Sequence, residues 1–307
     1  MIWLIVGLIP PILWALVNHT DKFLLSKSEY KSSVGVLMVY SIGFSLVVLP
    51  VLTFFTWQDL FLSWEQVITQ VVGGVLLTLS IYLYLLALNK EEASVVIPLS
   101  LLVPVFGFIL SYFVLGEVLT SKQIIACLLI VGGSLIISLE FGEERGLRIK
   151  HRVLGLMVLM CFAQAVQEIL FKYVSIENSF VVSFFWLHVG ILLFGSVLAF
   201  FKRNLLSDFT RSVRQNGLLL FAVNFISEAV SVFAFMVRDY AILFVPITVI
   251  MTLNGYQPVF VFLLGIILTL FAPRFVKEKI RPTHLVHKGA AIAVICIGTV
   301  LIAQSLS

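Results

Sequence analysis

Ten separate stretches of this sequence are mostly apolar and close to the ~20 residues that a helix needs to cross a bilayer. Inside the hydrocarbon core every backbone polar group needs an internal partner, and barrel strands would alternate polar and apolar residues, which these stretches do not. The sequence therefore predicts an all-α polytopic membrane protein with ten transmembrane helices. The predicted spans are Ile2–His19, Val34–Phe55, Val67–Leu88, Ala93–Leu115, Ser121–Leu139, Val153–Val174, Phe180–Phe200, Gly217–Arg238, Ala241–Phe271 and Val286–Ala303.

The composition excludes a water-soluble globule. Hydrophobic residues make up 61% of the 307 residues and charged residues 12%, whereas soluble domains have about half and about a quarter. The net charge of +4 comes from Lys and Arg in short connections, where membrane orientation explains them. We expect a lipid bilayer and a small-molecule substrate as partners, and no nucleic acid.

Neither a cofactor nor a catalytic motif is predicted. Cys127, Cys161 and Cys296 fall within apolar spans and lack metal-ligand spacing. The sequence contains no H-E-x-x-H, G-x-S-x-G or Walker motif and no acidic metal cluster. We therefore expect no metal, no cofactor and no enzymatic activity.

The two halves of the chain resemble each other, because short segments recur in the same order. Five spans per half is an odd number, so the second half must enter the bilayer from the opposite side. Inverted repeats of this kind recur in secondary transporters, with the substrate site between them. We predict two five-helix repeats, residues 1–145 and 150–307. The matching segments are LNKEEASVVIP (88–98) with MVRDYAILFVP (236–246), PVFGF (104–108) with PVFVF (258–262), and KQIIACLLIVGGSLII (122–137) with KGAAIAVICIGTVLIA (288–303).

One stretch of the chain carries a family resemblance. Residues 93–137 combine a proline-containing helix, the turn Gly116-Glu117 and a further helix, and in the first span Trp14 precedes Lys22 by eight residues. On these residues the chain resembles the EamA-like transporters of the drug/metabolite transporter superfamily. The resemblance implies movement of small polar or amphipathic metabolites, often by exchange with protons. It also implies that Trp14 faces the central cavity.

The chain departs from the family pattern in the second half and in the first span. APRFVKEKI (272–280) stands where the first half has its Gly-Glu turn. Trp14 and Gln164 occupy the places where related small multidrug exporters have a proton-coupling glutamate. That coupling carboxylate is therefore not carried over to this chain.

Prolines interrupt helices 4 and 9, at matching places in the two repeats. Proline removes a backbone hydrogen bond and clashes one turn back, and broken spans at matching places point to a transport site. A helix over Ala241–Phe271 would be about 46 Å long, which exceeds the hydrocarbon core, so we expect a break in it. Kinks without function are the alternative. The residues concerned are Pro98, Pro104, Pro246, Pro258 and the pair Asn254-Gly255.

Glu228 is the principal candidate for a functional carboxylate. It is the twelfth residue of its predicted span, near the bilayer midplane, where a charge costs at least ~2.5–3.5 kcal/mol. Asn224 lies one turn away and could hydrogen-bond the carboxyl. Such a group suits proton coupling or binding of a substrate amine; the alternative is a protonated glutamate that only bridges two helices.

Glu168 is the second candidate. Gln164, Glu168 and Lys172 are spaced by four residues on helix 6, so Glu168 could pair with Lys172. The alternative is that Lys172 extends from a helix end toward water. The remaining candidates for substrate binding or coupling are Trp14, Asn18, Asn254 and Gln257.

A secondary transporter that works by alternating access is the leading functional hypothesis, with protons as a candidate coupling ion. A membrane-embedded enzyme or a lipid-head-group flippase using the same cavity is the runner-up. A non-transporting assembly partner is the third hypothesis. The sequence indicates neither the substrate nor the direction of transport.

The distribution of basic residues gives a testable topology. Seventeen of the 20 lysines and arginines lie in or beside the odd-numbered connections, and basic connections face the cytoplasm. We predict both termini outside, in the plasma membrane if the source is prokaryotic. An impermeant thiol reagent applied to intact cells should label a cysteine placed at Ser307 and spare one at Glu144. The reverse pattern would contradict the predicted orientation.

Overall fold

The computed structural model describes residues 2–26, 34–56, 60–90, 96, 99–138, 151–202, 205–271 and 282–306. These residues form ten helices and, within the described part, no strand. Eight of the helices are long and apolar enough to span a membrane, and α4 and α5 are shorter apolar helices. The predicted all-α polytopic membrane protein is thereby confirmed. The helices are α1 Ile2–Ser26, α2 Val34–Thr56, α3 Trp64–Leu88, α4 Ser100–Leu115, α5 Ser121–Ser138, α6 His151–Ser175, α7 Phe180–Phe201, α8 Leu205–Ala241, α9 Ile247–Phe271 and α10 Pro282–Ser305.

Local sequence explains several helix ends. Ser63 and Gln66 form a reciprocal capping box at the start of α3, and Thr120 and Gln123 exchange the same two hydrogen bonds at the start of α5. At the end of α4, Gly116 adopts a left-handed conformation with φ of 66°. This conformation favours glycine and reverses the chain into the connection to α5.

The eighth helix extends beyond the predicted span in both directions. A helical segment, 205–216, precedes Gly217, whose φ of 76° and ψ of 172° break the helix there. Phe209 in this segment packs edge-on against the Tyr40 ring of α2, with 5.0 Å between ring centroids. The helix then continues to Ala241, so the predicted end at Arg238 is wrong. Arg238 lies inside the helix because buried partners satisfy its charge.

Helix α9 departs from regular α-helical structure between Pro246 and Pro258. It begins only at Ile247, after Pro246 as its N-cap, and a 3₁₀ turn at Asn254–Tyr256 divides it into two parts. Pro258 is the second residue of the second part, where its missing N–H costs no helical hydrogen bond. The later start shortens the span from the predicted 31 residues to 25, about 37 Å of helix.

Helix α4 also combines a 3₁₀ turn with a proline that follows it. A 3₁₀ turn at Ser100–Leu102 precedes the α-helical part, and Pro104 is its second residue. Each proline therefore stands four residues after the first residue of a 3₁₀ turn, in both halves of the chain. Pro98 lies outside the described residues.

The first part of α9 lies in the middle of the bundle. All seven of its residues, Ile247–Leu253, are buried. Helix α9 packs against α1, α4 and α5, and α6 packs against α3, α4 and α7. Helix α8 packs against α1 and α2, and α5 packs against α10. The first part of α9 is therefore an interior element, whereas Leu263, Ile267 and Leu270 of the second part are exposed on the bundle surface.

Glycines allow the closest approach between helices. A Cβ atom added to Gly74 of α3 would collide with the carbonyl oxygen of Leu187 in α7, and one added to Gly190 would collide with that of Val71. Small residues let membrane helices pack backbone to backbone in this way, since lipid provides no hydrophobic drive for helix association. The contact between α3 and α7 thus depends on two glycines.

We predict that Gly74→Ala destabilises the bundle. The new methyl group meets backbone atoms that cannot move aside, and overpacking of this kind costs about 1–3 kcal/mol. Thermal unfolding in detergent measures the effect. Gly132→Ala is the matched control, because nothing lies within 4 Å of its added Cβ. Equal unfolding midpoints for the two variants would contradict the prediction.

Candidate functional site

A buried arginine is the centre of the polar interior. Arg238 of α8 is 0% exposed. Its Nη1 lies 2.8 Å from Glu168 Oε1 of α6, and its Nε and Nη2 donate to Asp239 Oδ1 at 3.0 and 2.8 Å. Nη2 also donates to Gln167 Oε1 at 3.2 Å. We call Glu168, Arg238 and Asp239 the ionic triad.

Two aromatic rings cover the guanidinium. The Arg238 Cζ atom lies 5.7 Å from the ring centroid of Trp14 and 5.0 Å from that of Phe235. The two rings meet edge to face at 5.1 Å. Cations are attracted to aromatic faces, more strongly where water is excluded. The structure therefore brings Trp14, a candidate from the sequence, directly to the triad.

Residue spacing explains why one face of α6 carries the polar side chains that contact or adjoin the triad. Gln164, Gln167 and Glu168 lie three and four residues apart, so they share one face of the helix. Gln164 Nε2 donates to Glu168 Oε1 at 3.2 Å. Glu168 and Asp239 are both 0% exposed. The site therefore holds two carboxyl groups and one guanidinium away from water.

The predicted pair between Glu168 and Lys172 does not form. Lys172 Nζ instead lies 2.6 Å from Glu117 Oε1 and donates to the carbonyl oxygen of Val245 at 2.7 Å. Glu117 Oε2 accepts a hydrogen bond from the backbone N–H of Ile247 at 2.8 Å, at the start of α9. The N–H of Ile247 has no partner within α9 because Ile247 is the first residue of the helix, and Glu117 satisfies it while it pairs with Lys172.

These contacts join both halves of the chain at one end of the bundle. We call Glu117, Lys172 and the backbone of Val245 and Ile247 the charged latch. The side chains of Lys172 and Glu117 are 7% and 13% exposed. Lys172 is therefore held within the protein. The alternative interpretation, in which Lys172 extends from a helix end toward water, is wrong.

Glu228 occupies a different site. Its Oε1 accepts a hydrogen bond from Ser41 Oγ of α2 at 2.7 Å, and the residue is half-buried. It lies ten residues before Arg238 on the same helix, about 15 Å along the axis. Asn224, one turn away, is buried; the expected hydrogen bond between the two stays a prediction. Glu228 and the triad are thus separate groups on one helix.

The other candidates lie where α1 meets α9. His19 places Nε2 2.9 Å from the carbonyl oxygen of Val261. Asn18 Nδ2 and Asn254 Oδ1 are buried and have no hydrogen-bond partner among the described residues. Gln257 is half-buried at the start of the second part of α9. The structure does not bring these residues into the triad.

Sequence reasoning did not single out four side chains of the polar interior: Arg238, Asp239, Gln167 and Glu117 as a charge partner. Arg238 was assigned to the end of a span because it is the first basic residue after an apolar stretch. The sequence that follows Asp239 indicates that Arg238 is buried, because YAILFVP (240–246) remains apolar up to Pro246. A charged pair enclosed by apolar residues on both sides indicates a buried ionic site.

An all-helical bundle with membrane-spanning helices and a buried ionic site defines an integral membrane protein. The model of the EamA-like transporter family matches residues 1–139. The resemblance to EamA-like transporters of the drug/metabolite type is thereby confirmed, over the part of the chain that includes Trp14 and the Gly116-Glu117 turn.

Two further proteins are similar to this chain. An uncharacterized protein of Methanocaldococcus jannaschii is 28% identical over 95 residues, which are 31% of this chain and 69% of that protein. A crystal structure of another protein is similar over 98% of both chains, with a TM-score of 0.67 and 15% sequence identity. At that identity the structural likeness shows the fold alone.

We predict that Arg238→Gln strongly destabilises the protein. The substitution leaves two buried carboxyl groups without their cation, and removal of one partner from a buried ion pair costs about 3–5 kcal/mol. Arg211→Gln, on the exposed face of the segment before Gly217, is the control and should change stability by less than ~0.5 kcal/mol. Thermal unfolding in detergent compares them.

A triple variant tests the cause of this effect. Arg238→Gln combined with Glu168→Gln and Asp239→Asn removes all three charges, so most of the lost stability should return. If the triple variant unfolds at the same temperature as Arg238→Gln alone, the uncompensated charge is not the cause.

Proposed function

We propose that this chain is a secondary transporter that moves a small polar or amphipathic metabolite by alternating access between two inverted five-helix halves. The observation that carries the proposal is the pattern of helix packing. Each helix of the first half corresponds to the helix five places later in the chain, so that α1 corresponds to α6 and α5 to α10. When corresponding helices are exchanged, the main pairs of packed helices are the same. Helix α1 packs on α8 as α6 packs on α3, and α2 packs on α8 as α7 packs on α3.

The remaining pairs follow the same exchange. Helix α1 packs on α9 as α6 packs on α4, and the pairs α2–α7, α4–α9 and α5–α10 map onto themselves. The 3₁₀ turns before Pro104 and Pro258 supply the same correspondence at the level of the backbone. Two equivalent units that face each other can exchange roles, and this exchange is the basis of alternating access in inverted-repeat transporters.

The charged latch fits the role of contacts that break and reform. It connects Glu117 of the first half to Lys172 and the start of α9 in the second half. If the halves separate at this end of the bundle, these contacts must open. The same contacts form again when this end of the bundle closes, so the free energy lost on opening is regained. By the distribution of basic residues, this end faces outside.

Glu228 is the carboxylate that we propose as the principal substrate contact or coupling group. It is half-buried within the membrane-spanning part of α8 and hydrogen-bonds Ser41 of α2. A carboxylate there can bind a polar or cationic group of the substrate without complete desolvation. Asn224, Asn18, Asn254 and Gln257 are the uncharged polar groups that we propose for the rest of the substrate path.

One observation favours a lipid-head-group flippase as a second candidate. An apolar groove of about 210 Å³ lies between α4, α5 and α9, lined by residues that include Pro104, Phe108, Cys127, Leu128 and Thr252. Phe108 and Leu128 are exposed at the bundle surface, which lies in lipid. A groove of this kind could hold part of an acyl chain. The family match favours transport over an enzymatic role.

Uptake into proteoliposomes tests the proposal. Purified protein should move at least one compound of a panel of metabolites, and its rate should respond to a pH gradient if protons are coupled. A fluorescent phospholipid assay in the same vesicles examines the flippase alternative. Scrambling of lipid without uptake of any soluble compound would replace the proposal with that alternative.

We predict that Glu228→Gln reduces transport of the identified substrate by about tenfold or more, because a hydrogen bond to a charged group contributes about 1.5–3 kcal/mol. The variant keeps the shape and hydrogen-bonding capacity of the side chain and removes its charge. Glu65→Gln, at the exposed start of α3, is the matched control. An unchanged rate with unchanged pH dependence in Glu228→Gln would contradict the assignment.

A further inference from the structure

The charges of the ionic triad do not cancel. Arg238 carries one positive charge, whereas Glu168 and Asp239 together carry two negative charges when both are ionised. All three residues are 0% exposed. An ionised carboxylate without a counter-charge is not stable in such a place, and the group takes up a proton instead.

The hydrogen bonds of the triad leave both acceptors and donors without partners, and Arg238 Nη1 is one of these donors. One oxygen of each carboxyl group faces Arg238, and the other one, Glu168 Oε2 or Asp239 Oδ2, has no hydrogen-bond partner among the described residues. Gln167 is also 0% exposed, and its Nε2 lacks a partner although its Oε1 binds the guanidinium. The site therefore has unused polar capacity on both sides of Arg238.

The groups on the surrounding helices do not supply the missing positive charge. Lys172, one turn after Glu168, is bound to Glu117. Helix α1 contributes Trp14, and α3 contributes Gln70, whose amide donates to the carbonyl oxygen of Phe171. On α7, His188 places Nδ1 2.9 Å from the carbonyl oxygen of Phe184. Among the described residues, Arg238 and Asp239 are the charged groups that face Glu168.

We infer that Glu168 and Asp239 share one proton beside Arg238, and that this proton is the ion coupled to transport. A metal ion or a substrate ammonium group would need space and several oxygen ligands, whereas the triad offers two free oxygens and no exposed surface. A proton needs neither. The part of the inference that concerns coupling rests on the proposed transport function.

The distribution of the triad over two helices couples the proton to movement. Asp239 is adjacent to Arg238 on α8 and stays with it when helices shift, whereas Glu168 belongs to α6. Separation of α6 from α8 breaks the contact between Glu168 and Arg238 and leaves a neutral Arg238–Asp239 pair. Glu168, then next to water, releases or accepts the proton. Return of α6 buries the carboxyl again, and when the opposite side opens, Glu168 exchanges its proton with water on that side, so one cycle moves one proton across the membrane.

Infrared spectroscopy tests the bound proton without requiring transport. In lipid nanodiscs at neutral pH, the wild-type chain should show the carbonyl band of a protonated carboxylic acid, shifted in D₂O. Glu168→Gln and Asp239→Asn should each lose this band, because Arg238 with one carboxylate is neutral. Arg238→Gln should increase the band, since both carboxyl groups then need protons. Glu228→Gln and the surface control Glu65→Gln should retain it.

Each infrared result bears on the inference. The absence of the band from the wild type overturns it, and this reading holds even if a variant fails to fold. Survival of the band in either Glu168→Gln or Asp239→Asn overturns the shared proton, as does its loss in Glu228→Gln alone.

Proteoliposomes test the coupling separately. Glu168→Gln should lose the acceleration by a pH gradient, measured as the ratio of the transport rates with and without the gradient in the same vesicles. Retained acceleration overturns the coupling role. If the wild type moves no substrate at all, the proposed function fails while the infrared result still decides whether the triad holds a proton.

Discussion

Burial of the Arg238 guanidinium is the interaction on which the interior of this protein depends. A single charge in the apolar bundle would be costly, and here Nε and Nη2 of the guanidinium donate hydrogen bonds to Asp239 and Gln167, while Nη1 forms an ion pair with Glu168 at 2.8 Å without a hydrogen bond. These bonds fix α6 against α8, and the rings of Trp14 and Phe235 fix α1 against the same group. One side chain thus sets the relative position of three helices, two of which occupy equivalent places in the proposed repeats.

The scaffold around this site is held by a different kind of contact. Lipid offers no hydrophobic drive for helix association, so close van der Waals packing has to stabilise the bundle. Gly74 and Gly190 bring α3 and α7 together at backbone distance, and Gly298 of α10 leaves only 2.9 Å between an added Cβ and the carbonyl oxygen of Ala126 in α5. Such contacts are rigid, whereas the latch and the triad consist of polar contacts that water can replace. Movement is therefore expected at the polar contacts.

The sequence predicted the helices well and the charge partners poorly, and the reason is physical. Span length depends on local apolarity, and the break in α9 depends on Pro246, Pro258 and a Gly, so both can be recognised in one dimension. Partners across helices depend on the tertiary arrangement. Spacing by four paired Glu168 with Lys172, but the structure gives Glu168 to Arg238 and Lys172 to Glu117. Arg238 ends its predicted span because a charge favours the end of a membrane helix, whereas buried partners keep it inside α8.

The two membrane carboxylates differ in environment, and this difference separates their proposed roles. Glu228 is half-buried and accepts a hydrogen bond from the hydroxyl group of Ser41, so a substrate can approach it and compete with Ser41. Glu168 is enclosed, and a substrate could reach it only after α6 and α8 part. A carboxylate that is accessible in the resting state suits recognition, whereas one that is exposed only by the conformational change suits coupling. Because Glu228 and Arg238 both belong to α8, a substrate bound at Glu228 can influence the contact of Arg238 with α6 about 15 Å away. In the proposed mechanism, α8 itself is the physical link between substrate and proton.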